Sequence, residues 1–144
     1  MPNNEEMIKV ILCKPGEKAT VTEIGDSLES MQEAVGGWIE EYMPFEDEVA
    51  IVCNEEGKIN GLPLNRAITD EDGQLQDIIA GDFFIAYAPM ASEKFLSMPE
   101  ELEKKYLDKF EMPEMFYRDN GSIKTVKYDP DSIHTEKASV GYER

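Results

Sequence analysis

The apolar run Phe83-Phe84-Ile85-Ala86-Tyr87-Ala88 constrains the fold of this chain more than any other stretch. It is far too short to cross a bilayer, and residues 83–87 fit a fully apolar strand at the centre of a sheet. A chain of 144 residues is long enough to bury such a strand in a core of its own. The sequence therefore predicts one main module built around this strand.

A β-hairpin is predicted at the N-terminus. Residues 7–13 are apolar and rich in β-branched side chains, Pro15-Gly16 interrupts them, and residues 19–24 alternate with a period of two. Asp26-Ser27-Leu28-Glu29 then resembles a capping box, with Asp26 as the N-cap of a helix. Apolar residues recur at helical spacing as far as Pro44, which predicts one long helix carrying Leu28, Met31, Val35, Trp38, Ile39 and Tyr42 on its apolar face.

Gly36 and Gly37 fall inside this predicted helix, where each glycine costs about 1 kcal/mol relative to alanine. One interpretation is a close approach of the helix to the sheet, with Trp38 covering the gap. The other is a groove in which a ligand or partner meets exposed backbone. Both interpretations make this dipeptide a position to examine.

The middle of the chain combines strands with turns. Residues 49–53 predict a strand, residues 54–57 and Asn60-Gly61 predict turns, and residues 62–64 suggest a partly helical corner. A further turn is predicted at 70–73 and a bend at 78–82, before the final strand. The resulting order is β-β-α-β-turns-β.

This order, with a last strand placed centrally and parallel to the first, predicts an α+β fold of the β-grasp or ubiquitin-like type, a mixed sheet packed on one helix. A plain α+β hairpin sheet with another strand order is the alternative. The β-grasp domain is predicted to span 7–91.

Two segments follow this domain. Residues 92–117 predict a helical extension that begins near Ser97-Met98-Pro99-Glu100 and carries Leu102, Tyr106 and Phe110 as a narrow apolar stripe. Residues 118–144 are polar and predict a tail that is an extended arm or weakly ordered.

The formal charge of −17 excludes one class of partner. Binding to a nucleic-acid backbone needs clustered Lys and Arg, so we expect no direct binding of nucleic acid. The charge is concentrated in residues 1–91, which hold 5 Lys and Arg against 19 Asp and Glu. Such a surface either keeps the protein soluble or attracts a basic protein partner by long-range steering.

Compartment follows from what the sequence lacks. We find no apolar run long enough for a bilayer and no signal-peptide pattern at the N-terminus, which predicts a cytoplasmic protein without membrane association. Cys13 and Cys53 lie in apolar, strand-like runs, and we expect buried thiols rather than a disulfide.

No complete catalytic or metal site is recognisable. His134 is the one histidine and lies in the polar tail, so neither a Ser/His/Asp unit nor a Cys/His unit is supported. The sequence offers too few ligands for a zinc site, and its acidic turns lack the spacing of a calcium-binding loop. We expect a non-enzymatic protein with no cofactor and no metal.

The stretch NEEGKINGLPLNR, residues 54–66, holds the side chains best suited to specific recognition. Asn60 and Asn65 offer paired donors and acceptors, and Arg66 offers a planar fork for carboxylate or phosphate. The alternative is structural: Arg66 ties the loop to a nearby carboxylate, while the Asn side chains satisfy turn backbone.

Several long motifs carry a family resemblance. The segments AVGGWIEEYMPFEDEVAIVCNEEGKINGLPLNRAI and DEDGQLQDIIAGDFFIA resemble the uncharacterised domain-of-unknown-function family 3846, over roughly residues 7–88. The resemblance implies the context of gut bacteria, their phages and conjugative elements, often beside antirestriction genes. It implies no activity and supplies no catalytic residues. Trp38 stands where a tyrosine is expected.

Three functions remain open. The first is a binding module of a phage or mobile element whose acidic surface engages a basic protein, in counter-defence or, in its boldest form, by imitating DNA. The second is a small-molecule or nucleotide-like site formed by Asn60, Asn65, Arg66 and the face of Gly36, Gly37 and Trp38. The third is an interaction scaffold that uses Tyr106, Phe110 and Phe116 for self-association.

Overall fold

The structure is a computed structural model that describes residues 6–132. The main elements in chain order are β1 (Met7–Cys13), β2 (Thr20–Gly25), α1 (Leu28–Val35), β3 (Ile39–Tyr42), β4 (Val49–Asn54), β5 (Leu64–Thr69), β6 (Leu75–Ala80), β7 (Phe83–Tyr87), α2 (Glu100–Phe110), β8 (Glu114–Asp119) and β9 (Ser122–Lys127). Residues 130–132 are helical as well. The predicted α+β class is confirmed.

Five strands form the main sheet, in the order β2-β1-β7-β4-β3. The apolar strand β7 lies at its centre, as predicted, and the β1–β2 hairpin is also confirmed. However, β7 runs antiparallel to both β1 and β4. The parallel pairing of first and last strands, on which the β-grasp prediction with its mixed sheet rested, is therefore wrong.

The central strand is apolar throughout because both faces of the sheet are covered. Phe84 and Ala86 of β7 pack with Met31 and Val35 of α1 on one face. Phe83 and Ile85 point to the opposite face, where they pack with residues of the β5–β6 hairpin and of α2. The fold is therefore three-layered, with α1 and α2 on opposite sides of one sheet.

Helix α1 is shorter than predicted, and the prediction of one helix from Asp26 to Tyr42 is wrong. Ser27, not Asp26, is the N-cap, and its hydroxyl accepts from the backbone N–H of Ser30 over 3.1 Å. Gly36 ends the helix with a left-handed backbone (φ 77°), and its N–H donates to the carbonyl of Gln32. Beyond it, Trp38 lies in a bend, and Ile39 and Tyr42 belong to strand β3.

The helical corner predicted at residues 62–64 is not formed, because residues 62–63 are irregular and a strand begins at Leu64. Residues 64–69 and 75–80 form the two-stranded sheet β5–β6. The predicted turn between them is present, and the carboxylate of Asp70 accepts from the backbone N–H groups of Asp72 and Gln74 at 2.9 Å. The predicted bend at 78–82 is mostly strand β6.

The C-terminal segment also differs from its prediction. Helix α2 begins after Pro99 without a side-chain cap, because the hydroxyl of Ser97 accepts from the backbone N–H of Lys9 in β1 instead. Residues 114–127 form the hairpin β8–β9, so the tail predicted to start at residue 118 begins inside a strand. The proposed division at residues 91/92 and 117/118 stays a prediction.

Helix α2 belongs to the same core as the main sheet. Tyr106 and Phe110 are both 2% exposed and pack with Phe83 of β7 and Phe45. Because these two rings face inward, neither offers an exposed surface for self-association. Self-association itself stays a prediction. Within residues 6–132, no helix is both long and apolar enough to span a membrane.

Candidate interaction surface

The six residues predicted to recognise a ligand do not converge on one place. Asn65 and Arg66 are buried on the side of the sheet that carries β5–β6 and α2. Gly36, Gly37 and Trp38 follow α1 on the other side. Asn60 is exposed in the turn before β5. A pocket that uses all six residues is not formed.

Asn65 fixes the start of β5 to two neighbouring segments. Its side-chain amide donates to the backbone carbonyl oxygens of Cys13, at 3.0 Å, and Gly81, at 2.8 Å. Both donors of the amide group are thus used inside the protein.

Arg66 completes this buried network and is fully inaccessible. Its Nε donates to the carbonyl of Phe110 at 3.0 Å, and Nη2 donates to the carbonyl of Glu17 at 2.8 Å. Nη1 donates to Asn65 Oδ1 at 2.7 Å and, more weakly, to the carbonyl of Lys14 at 3.4 Å. The fork predicted for a carboxylate or phosphate therefore binds the protein's own backbone.

Burial and neighbouring groups act in opposite directions on the charged form of Arg66. Burial lowers the pKa of its guanidinium, and Cys13, Glu114 and Tyr128 oppose that shift. Glu114 has an anchoring role beside it, since one carboxylate oxygen accepts from the N–H of Ala67 at 3.1 Å and from the hydroxyl of Thr125 at 2.8 Å. Arg66 and Glu114 together tie β5 to the C-terminal elements.

Gly36, Gly37 and Trp38 instead line an open depression of about 450 Å³ together with Glu29, Gln32 and Glu33 of α1. Trp38 is 69% exposed. The interpretation that it covers a gap between helix and sheet is therefore wrong. The large aromatic ring of Trp38 is thus exposed in a depression that is also lined by the carboxylates of Glu29 and Glu33.

Gly37 has a packing role within this surface. A Cβ placed on Gly37 would lie 2.8 Å from the side-chain nitrogen of Asn54. That nitrogen donates to the carbonyl of Val35 at 3.2 Å, in the last turn of α1. The close-approach interpretation thus applies to Gly37 and the turn, whereas Gly36 is a helix cap.

A second groove lies on the same side of the sheet, beside the start of α1 and β3. It is lined by apolar side chains and carboxylates, among them Leu28, Ile39, Phe95, Glu41 and Glu93. Leu28 is mostly exposed although the sequence pattern places it on the apolar face. We use the name Trp38 face for the surface formed by Leu28, Glu29, Glu33, Gly36, Gly37, Trp38 and Glu41.

The Trp38 face lies in a part of the sequence that carries acidic residues and no basic residue. Residues 19–57 contain eleven Asp and Glu and no Lys or Arg. Lys94 lines the groove beside this face, and it is paired with Asp26 at 3.2 Å. The surface therefore keeps a strong negative potential.

The opposite side of the sheet has an acidic depression of a different kind, between the loop before β4 and the β5–β6 turn. Here Asp47 accepts from Lys105 Nζ at 2.6 Å and from the hydroxyl of Tyr106 at 2.7 Å. These hydrogen bonds lower the pKa of Asp47, whereas burial and Asp47 raise that of Tyr106. Lys105 and Lys109 of α2 line this depression and offset part of its negative charge.

The thiols are buried, as predicted. Cys13 and Cys53 are both free, and burial raises their pKa values to about 12 and about 11. Both stay protonated near neutral pH, which is the opposite of an activated nucleophile. In the described part of the chain no three His, Cys, Asp or Glu residues are grouped to hold a metal. His134 lies outside the described residues.

Comparison with known proteins agrees with the motifs. The model of the family described as "Domain of unknown function (DUF3846)" matches residues 8–111. The chain belongs to this family. The DUF3846 match covers the main sheet, helices α1 and α2 and the β5–β6 hairpin, and it ends before β8. No curated protein and no solved structure matches the chain.

Proposed function

We propose that this DUF3846 protein is a non-enzymatic binding module whose Trp38 face engages a basic protein. The observation that carries the proposal is the exposed Trp38 in a depression edged by Glu29 and Glu33, inside a stretch of 39 residues without any Lys or Arg. Tryptophan is over-represented among residues that dominate binding energy at protein interfaces. Carboxylates around it that form no ion pair with any residue in 6–132 favour a cationic partner.

The small-molecule alternative has weaker support. The side chains of Asn65 and Arg66 donate hydrogen bonds to backbone carbonyls, and neither side chain is accessible to a ligand. The depression at Trp38 is wide and open, which suits a protein surface better than a ligand that must be enclosed.

The mobile-element context implied by the family resemblance suggests which basic proteins to consider. DNA-handling and host-defence proteins present clustered Lys and Arg to nucleic acid. A carboxylate-rich surface competes for such clusters, and imitation of DNA is the strongest form of this proposal. In that form, added duplex DNA displaces the module from its partner.

Affinity capture from the native cells tests the proposal with a matched pair of variants. Glu29→Lys/Glu33→Lys reverses two charges on the Trp38 face, whereas Glu101→Lys/Asp108→Lys reverses two exposed charges on α2, on the other side of the sheet. Both variants change the net charge equally. We expect the wild type and the α2 variant to retain the same basic protein at low salt and the Trp38-face variant to lose it.

A high-salt wash supplies the second criterion, because screened charges no longer contribute at high ionic strength. The proposal fails if nothing basic is captured, or if the α2 variant loses the partner as completely as the Trp38-face variant does.

A further inference from the structure

We propose that β3 receives its basic partner by strand addition: an extended segment with Lys or Arg at adjacent positions pairs with the free edge of Ile39–Tyr42. This inference rests on the proposed function and specifies how the partner binds. Strand β3 is the outermost strand of the main sheet, and among the described residues it pairs with β4 alone. Main-chain pairing at an open edge is a common mode of peptide recognition.

The register shows which backbone groups are free. The N–H of Glu55 donates to the carbonyl of Trp38 at 2.8 Å, one step beyond the Ile39–Asn54 pair. Hydrogen-bonded and non-hydrogen-bonded pairs alternate along an antiparallel ladder. The backbone N–H and C=O of Ile39 and Glu41 therefore point away from β4, toward an incoming strand.

The side chains of β3 set the charge of that strand. Glu40 and Glu41 are both exposed and, being neighbours in a strand, lie on opposite faces of the sheet. Glu41 shares the α1 side with Ile39, and Glu40 shares the other side with Tyr42. A partner strand with two adjacent cationic residues therefore meets a carboxylate on each face.

A second copy of this chain is disfavoured as the occupant. Pairing of β3 with another β3 would bring four glutamates together across two short strands, and like charges opposite each other destabilise a sheet. Charged residues at edge strands prevent such self-pairing in natural proteins. The same two charges attract a strand of opposite charge.

The other edge of the sheet provides an internal control. Strand β2 is also outermost and carries exposed Thr20 and Glu23. It has a single carboxylate within the strand and lies farther along the sheet from Trp38, beyond β1, β7 and β4. A charge reversal there changes the net charge as much as one in β3.

The probe is a fluorescein-labelled ten-residue peptide with Val-Lys-Arg-Val at its centre, titrated with the full chain and followed by anisotropy. Two further peptides carry N-methyl groups on alternate residues, one on the odd and one on the even positions. Each methylation pattern removes the N–H donors of one strand edge. We expect one pattern to weaken binding about tenfold or more and the other to have little effect.

The variants complete the test. Glu41→Lys should weaken binding of the parent peptide by about fivefold or more, and Glu23→Lys should change it less than twofold. The inference is overturned if both methylated peptides bind as tightly as the parent peptide or if no peptide binds. It is also overturned if Glu41→Lys and Glu23→Lys bind the parent peptide with the same affinity. In each of those outcomes the proposed function still stands when the captured basic protein depends on Glu29 and Glu33. Loss of that dependence would remove both.

Discussion

Arg66 Nε donates to the backbone carbonyl of Phe110 across 3.0 Å, which joins strand β5 to the last residue of α2. The same guanidinium reaches the carbonyl of Glu17, in the segment between β1 and β2. One side chain thereby holds three parts of the chain that are distant in sequence. This arrangement assigns Arg66 to the stability of the fold.

Arg66→Met should lower the free energy of unfolding by about 3 kcal/mol, because the substitution leaves buried carbonyl oxygens without donors. Urea denaturation measures the change. Arg118→Met serves as a matched control, since Arg118 is exposed on β8 and its loss should cost less than about 0.5 kcal/mol. Equal stability of both variants would contradict the structural role of Arg66.

Gly36 and Gly37 should respond differently to alanine. Gly36→Ala places a side chain at φ 77°, with no atom within 4 Å, so we expect a loss of about 1 kcal/mol from backbone strain alone. Gly36→Asn should recover part of this loss, because asparagine tolerates the left-handed region. Thermal denaturation compares the three proteins, and a fully stable Gly36→Ala variant would exclude the left-handed cap.

Gly37→Ala has no such backbone penalty but displaces Asn54, which lies 2.8 Å from the new Cβ. The amide of Asn54 then loses the carbonyl of Val35. We expect a shift of the Asn54 side-chain amide signals in NMR spectra, with the helix end loosened. Unchanged signals would show that the turn yields in another way.

Cys13 should make the fold sensitive to alkaline pH. Burial raises its pKa from 9.0 to about 12, so the folded state disfavours the thiolate. The protonated Cys13 thiol therefore contributes its full share to the stability of the fold below pH 9, and this contribution is lost as the pH rises toward 12. Between about pH 8 and 10.5 this difference amounts to about 2 kcal/mol.

The test compares Cys13→Ala with its parent in a Cys53→Ala background, because Cys53 is shifted in the same direction. Urea denaturation at both pH values should show the parent losing about 2 kcal/mol more than the Cys13→Ala protein. Parallel losses would mean that the thiol titrates normally in the folded protein.

Trp38 should matter for binding and not for folding. Because its ring is 69% exposed, Trp38→Ala should change the free energy of unfolding by less than about 0.5 kcal/mol. Affinity for the basic partner should fall about tenfold or more. Tyr117→Ala, at another exposed aromatic residue, is the control and should leave binding unchanged.

Trp38 is also the sole tryptophan of the chain, so intrinsic fluorescence reports directly on this face. Its emission should be that of a solvated indole and should shift to shorter wavelengths when the partner covers it. An indole that is already shielded in the free protein would contradict the exposed position.

The sequence predicts a strand of the main sheet correctly where an apolar run is compatible only with a buried strand. The apolar run of β7 requires burial on both faces, and so does the β-branched run of β4. Strand β1 differs, because Met7 and Lys9 at its start are exposed. Strand direction was not readable, because an apolar strand fits between parallel and antiparallel neighbours alike. The β-grasp prediction failed at this step.

The boundary of α1 shows how periodicity misleads. Trp38, Ile39 and Tyr42 continue the helical spacing of the preceding residues, although Gly36 has already ended the helix. The double glycine was the available signal, since a glycine after a periodic segment is a common helix C-cap. The cost of two glycines in a helix interior favoured that interpretation.

The candidate site was only partly predictable. Asn65 and Arg66 stood out as polar residues in an apolar context, but the same chemistry serves ligands and buried backbone carbonyls equally well. Their burial on β5 depends on long-range packing that no local pattern encodes. Trp38 lines one depression with Gly36 and Gly37, and the acidic stretch around it is visible in the sequence, but its exposure was not predicted because the sequence pattern placed it on the apolar face of a helix.

Photo-crosslinking from position 38 tests the central proposal most directly. Trp38 is replaced with p-benzoylphenylalanine, Tyr117 is replaced likewise as the control, and each protein is irradiated in a lysate of the native cells. We expect an adduct with a basic protein from position 38 alone, and we expect it to disappear with Glu29→Lys/Glu33→Lys. Equal adducts from both positions, or none from position 38, would contradict the assignment of the Trp38 face as the binding surface.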